Sequence, residues 1–279
     1  MLTIIKILGI PFLTCVLMSL ILGYLGTHIL KREVIFIDIA LAQFAAVGAT
    51  IAHLVFDAHD DSVMAYACSF GCIFPVAAFY AYARNKLFLI PLEAIIGISY
   101  AIAAAAALFL VGIAPGGHIH IQQILSGSLL WTGWKQVLTC LVVFSAVGVC
   151  FYLIRRPITE ISNSYQKDAY KDKGVLVWDF IFYVLLGVVI TLSVQLGGIV
   201  VVFAFLIIPA TISATFTSRL YLQIGIIWTS AVLASLAGLL FAYYLDFSIG
   251  PAIALFLGGE LIVASLGANF WQPTLNGGT

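Results

Sequence analysis

The sequence predicts an all-α fold, a polytopic transmembrane helix bundle of about nine spans, with the N-terminus outside and the C-terminus inside. Three observations lead there. Hydrophobic residues make up 63% of the chain and charged residues 9%, against about half and about a quarter in a soluble domain; the mean hydropathy is +1.16. The apolar residues gather into runs of roughly 20, the number that crosses a hydrocarbon core of about 30 Å. The cations collect at every second junction between those runs. Residues 1–279 therefore read as a single transmembrane domain, with no soluble domain, low-complexity tract or internal repeat.

The runs lie at about 3–27, 34–56, 62–83, 91–112, 134–154, 176–195, 198–217, 220–243 and 249–268. Proline and glycine punctuate them. Pro91 opens the fourth, Gly197-Gly198 separates the sixth from the seventh, and Gly250-Pro251 opens the ninth. Pro11, Pro75 and Pro209 fall inside runs, where a missing N–H should kink or break a helix. Lys6 is a lone early cation and no small-residue cleavage site follows the long first run. It reads as a span and not as a removable secretory leader.

Orientation comes from the cations. Of the 12 Lys and Arg residues, Lys31, Arg32, Arg84, Lys86, Arg155, Arg156, Lys167, Lys171, Lys173 and Arg219 share one set of alternating junctions, leaving only Lys6 and Lys135 opposite. The first set is assigned to the cytoplasm.

The second run carries the most chemistry. Ala42, Ala45, Ala49 and Ala52 recur at spacings that fall on one helix face. Small residues in that pattern let a neighbouring helix come close. Asp38 and His53 lie near the two ends of the face. Asp38 is either a solvated residue at the membrane edge or part of a cation path, and Lys31 and Arg32 are near enough to snorkel toward it.

The outer junctions hold His53, His59, His118 and His120, with Asp57, Asp60 and Asp61 in DAHDD. Imidazole with carboxylate suits zinc, manganese or ferrous iron. In GGHIHIQQ, an extended backbone would point His118 and His120 the same way. A polar loop tip in water explains the same residues. The stretch HIHIQQILSGSLLW is too polar for a span and reads as a re-entrant helix or as an amphipathic loop helix. The five cysteines all sit in apolar runs, as small buried residues do. Cys68 and Cys72, one turn apart, are the one pair spaced to hold a soft metal.

The loop RRPITEISNSYQKDAYKDKG, about 155–174, is polar and of mixed charge. A short helix around 165–173 would dock a soluble partner; a solvated connector is the alternative. Among the acids near the runs, Glu93 and Asp179 read as first-turn residues favoured by the helix dipole, and Asp246 as a loop residue. Glu260 is different. It sits near the middle of the ninth run, where a carboxylate costs about 2.5–3.5 kcal/mol on an insertion scale, and no Lys or Arg is embedded deep in a run to offset it, Lys6 and Lys135 lying near run ends. It serves either a transport path or a structural hydrogen bond.

Three stretches make the chain resemble a known family, the membrane permeases of ATP-binding-cassette importers for zinc, manganese and iron. The second run is similar to the family's G-D-x-L-x-H-x-x-x-x-G pattern. LGGIVVVFAFLIIPATISATFTSR is similar to its glycine-then-LLIIPAA segment, and YLDFSIGPAIAL to its aspartate-x-proline-x-Gly pattern. LEAIIGI and LSGSLLW also fit, in the same order along nearly the whole chain.

The resemblance implies an acid and a histidine binding metal where two permease subunits meet. With Gly48 setting the register, Gln43 stands in the histidine's place, and Ile39 in the acid's, one position after Asp38. A divergent branch is implied, its metal path drawing on Asp38, Gln43, His53, His118, His120 and Glu260. The family's D-x-x-A-x-x-G coupling segment is loosely matched by Asp168 and Gly174, with Ala169 out of step and Lys171 and Lys173 between. No phosphate loop is present, so ATP hydrolysis is expected on separate cytoplasmic ATPase subunits. Also implied are a second copy of this chain, an extracytoplasmic metal-binding protein and a bacterial-type cytoplasmic membrane. The only ion expected is the transported one, with no resident cofactor and no nucleic acid.

Other classes fit less well. A proton-driven carrier would titrate Glu260 and Asp38 but would favour an inverted repeat, and a divergent permease for a non-metal substrate stays open. Neither an H-E-x-x-H nor a serine-elbow pattern occurs, which argues against an intramembrane enzyme.

Overall fold

A computed structural model of the chain describes residues 2–57, 62–86, 90–113, 127, 129–164 and 173–271. Nine α-helices run through them: α1 (Leu2–Arg32), α2 (Ile37–Phe56), α3 (Val63–Lys86), α4 (Leu92–Ile113), α5 (Trp134–Leu153), α6 (Arg155–Asn163), α7 (Lys173–Phe216), α8 (Leu220–Leu245) and α9 (Ile249–Trp271). A 3-10 turn, Leu129–Trp131, precedes α5. Each predicted run lies within a helix, give or take a few residues at its ends. Among the described residues, eight helices (all but α6) are long and apolar enough to cross a membrane. This is a multi-pass membrane protein.

The sixth and seventh runs are joined in α7, a helix of 44 residues. At about 1.5 Å per residue it would extend about 66 Å, roughly twice a hydrocarbon core. It leaves helical geometry at Gly198, whose φ of 76° and ψ of 163° suit a residue without Cβ. The break leaves two stretches, each near the length of one span. Pro91 precedes α4 as expected, while the three prolines inside runs, expected to kink or break their helices, break none of them. Pro11, Pro75 and Pro209 lie within α1, α3 and α7 without ending them.

The chain forms two compact units, one of Met1–Leu30, Ser128–Phe144 and Val200–Thr279, the other of Lys31–Gly127 and Ser145–Ile199. In the second unit, α2 packs against both α3 and α4. Of the predicted alanine face, Ala42, Ala45 and Ala52 are buried and Ala49 is half-buried, and the Ser69 hydroxyl donates to the Ala45 carbonyl at 2.9 Å. At Gly48 the two backbones are so close that an added Cβ would lie 2.4 Å from the Cys68 carbonyl oxygen. Phe151, Phe182, Tyr183 and Tyr80 then meet edge to face through the core of this unit, the arrangement their ring quadrupoles favour.

In the first unit, α8 and α9 form an adjacent pair, with Phe241 edge-on to Phe256 at 5.6 Å. Large apolar side chains such as Ile98, Ile102 and Phe109 on α4 and Val142 on α5 remain exposed. In a bilayer they face lipid.

Candidate functional site

Asp38 lies in the first turn of α2 and is 2% exposed. Its Oδ1 has no hydrogen-bond partner among the described residues. Lys31 and Arg32, expected to neutralise it, are engaged elsewhere: Lys31 Nζ donates to Asn163 Oδ1 at 2.9 Å, and Arg32 pairs with Asp179. The groups that do act on Asp38 are the backbone N–H groups of Ile39 and of Asp38 itself and, more weakly, the charge of Glu93. Glu93 opens α4, and its Oε1 accepts the N–H of Phe36 at 3.1 Å. Phe36 is the N-cap residue of α2 and has no side-chain cap of its own. Glu93 therefore serves the start of a neighbouring helix as well as its own, while its Oε2 is buried without a partner among the described residues. Two unpartnered carboxyl oxygens at the mouths of α2 and α4 can accept a proton or attract a cation.

The other α2 candidates do not join this pair. Gln43 is half-buried and, five residues on, points about 140° away around the helix. His53 occupies the last turn. Its 15-residue separation from Asp38 corresponds to about 22 Å of helix rise, so one ion cannot touch both. Among the described residues, no group of three or more His, Cys, Asp or Glu side chains is arranged to hold a metal. Cys68 and Cys72 are both free thiols. His118, His120, His59, Asp60 and Asp61 lie outside the described residues.

Glu260 is in α9, in the first unit. It is half-buried, and its Oε2 accepts the Ser230 hydroxyl from α8. The hydrogen bond foreseen as one alternative is therefore present. The neighbouring Gly258 and Gly259 leave open space, since a Cβ at either would meet nothing within 4 Å. Glu260 thus has a single neutral donor on its carboxyl among the described residues.

The loop of about 155–174 contains a helix in its first half that its composition did not predict. Residues 155–163 form α6, with Pro157 in its first turn, where a proline is tolerated. Ile158, Ile161 and Ser162 face inward at i, i+3 and i+4, while Arg155, Arg156 and Glu160 face out. The helix expected around 165–173 falls largely outside the described residues, as do Asp168 and Lys171. Lys173 opens α7, and Gly174 has open space around it.

Beneath α6 is a cluster that the sequence did not disclose. Asp179 is fully buried in the second turn of α7, not in a solvated first turn. Its Oδ1 accepts from Arg32 Nη1 at 2.7 Å, and its Oδ2 from Arg84 Nη1. Arg32, the last residue of α1, is itself 0% exposed, which corrects the expectation that no cation is embedded in a span. Its Nε donates to Ser162 Oγ at 3.0 Å. The guanidinium lies 4.0 Å from the ring centroid of Phe182, within cation–π range. The only clue in the sequence was position: each of these charges sits at an edge of an apolar run on the cation-rich side.

Comparison with known proteins adds three findings. The family model for the ABC 3 transport family matches residues 5–268. A probable metal transport system membrane protein of Chlamydia pneumoniae is 23% identical over 245 residues, covering 85% of this chain and 80% of that protein. The manganese transport system membrane protein MntC of Halalkalibacterium halodurans is 24% identical over 242 residues, covering 86% and 80% respectively. Among solved structures, PsaBC from Streptococcus pneumoniae in complex with Fab superposes with a TM-score of 0.75 at 19% identity, covering 92% of this chain and 90% of that one. The fold is therefore shared with that chain, and the match across nearly the full length identifies this one as a member of the ABC 3 transport family.

Proposed function

We propose that the chain is the membrane-spanning permease subunit of an ATP-binding-cassette importer that moves a divalent transition metal ion inward by alternating access. The family match over residues 5–268 is the observation that carries this reading. Relatives described as metal and manganese transport system membrane proteins support a metal as cargo. Asp38, Gln43 and Glu260 offer oxygen, which suits manganese, while His53, His118 and His120 offer imidazole, which suits zinc or iron; the manganese relatives make manganese the first ion to test. His53, His118 and His120 would collect the ion at the outer mouth. Weak, successive ligands suit a cargo that must leave again.

In this reading the two units act as one permease domain, a second copy of the chain completes the pathway, and an extracytoplasmic binding protein delivers the metal. The cation-rich ends of α1, α3 and α5–α6 face the cytoplasm. The segment about 155–174, with Asp168, Lys171, Lys173 and Gly174, receives separate ATPase subunits. The decisive test reconstitutes the chain with its ATPase and binding protein in sealed vesicles and measures manganese uptake. ATP-driven uptake with no response to an imposed proton gradient supports the importer. Uptake driven by protons without ATP contradicts it.

A further inference from the structure

We infer that Arg32, Asp179 and Arg84 form the link through which movement of the cytoplasmic segment reaches the spans. The inference rests on the coupling role proposed above for residues 155–174. Its structural basis is that both flanks of that segment converge on one side chain. On the N-terminal flank, Ser162 of α6 accepts from Arg32 Nε at 3.0 Å, and neighbouring Asn163 accepts from Lys31. On the C-terminal flank, Asp179 of α7 accepts from Arg32 Nη1 at 2.7 Å. Phe182, one turn further along α7, holds the guanidinium face at 4.0 Å. Arg84 takes the other oxygen of Asp179 and adds the end of α3. A displacement of the segment must pull on Arg32 at the end of α1, and through Asp179 on α3.

The charge pattern argues in the same direction. Two cations share one anion, with side-chain exposures of 0% for Arg32 and Asp179 and 15% for Arg84. The desolvation cost of burying such a group can exceed its Coulombic gain, and well-packed apolar residues often do as well or better for stability. What charged groups add is direction and range. Each oxygen of Asp179 takes one N–H from an arginine of a different helix, and such charge-assisted bonds are strong and directional. These are positioning residues, since none is placed on the path of the ion.

The experiment uses the full complex in vesicles, with manganese as the probe, and measures metal moved per ATP hydrolysed. The variant Arg32→Met/Asp179→Leu/Arg84→Met replaces the cluster with apolar side chains. It should assemble with the ATPase and hydrolyse ATP, while metal moved per ATP falls about tenfold or more, within the usual span of coupling energies. Arg84→Gln leaves the Arg32–Asp179 pair intact and neutral, and should lower the ratio by a smaller factor. Asp179→Glu, which keeps the charges, should stay nearer wild type than either.

A wild-type ratio in the triple variant overturns the inference and leaves the cluster as structural glue. If the triple variant does not assemble, a wild-type ratio in Arg84→Gln overturns it equally. Failure of the importer reading shows separately, as absence of ATP-dependent uptake by the unmodified complex, and takes this inference with it.

Discussion

Asp179 in α7 accepts from two arginines and is sealed from solvent, whereas Glu260 in α9 accepts from one serine hydroxyl and is only half-buried. Both acids belong to apolar helices. The difference follows from where each lies. Asp179 is near a helix end, within reach of cations that close α1 and α3, so a fixed ionic lattice can form around it. Glu260 is well inside α9, with one neutral donor among the described residues. A carboxyl with lone pairs to spare suits a passing cation; one with a guanidinium on each oxygen suits a joint. Asp38 falls between the two, fully buried yet with one oxygen unpartnered among the described residues.

Four substitutions would break or sharpen this contrast. Asp179→Ala strands two arginines and should cost about 3–5 kcal/mol, read as a large drop in the melting temperature of the solubilised protein. A small drop would mean the cluster is not a tight ionic joint. Glu260→Gln should insert normally and melt close to wild type, because the amide oxygen still accepts from Ser230, while uptake falls about tenfold, equivalent to about 1.4 kcal/mol. Normal uptake would place Glu260 off the path and erase the contrast.

Ser230→Ala removes a single hydrogen bond and should cost about 1 kcal/mol in thermal unfolding. A loss as great as that of Asp179→Ala would make the Glu260 pair a structural joint too. Lys31→Met removes an exposed contact to Asn163 and should cost less than about 0.5 kcal/mol. A larger loss in the same assay would mean that α6 is held mainly by Lys31, and not by Arg32 and its buried isoleucines.

The apolar runs were legible because span length and hydropathy are local properties. Ala42, Ala45 and Ala52 were legible too, as helix periodicity puts small residues on one face, whereas the close approach at Gly48 came only with the structure. The Arg32–Asp179 pair was not, since 147 residues separate its members and nothing local to either names the other. The α6 helix was concealed for a different reason. Its polar composition reads as loop, and only the inward positions of Ile158, Ile161 and Ser162 reveal a docked face. The proposed metal path was legible only as single donors. Asp38, Gln43 and His53 occupy different faces or ends of α2, and bringing donors together depends on tertiary packing or on a second copy of the chain.

The central claim is that this chain imports a divalent metal at the expense of ATP. The most direct measurement is the metal content of cells by elemental mass spectrometry, with the chain co-expressed alongside its ATPase and binding protein. The account predicts that manganese rises with the active ATPase and stays at background when the ATPase is inactivated. Equal metal content in the two strains, across all transition metals, would contradict it.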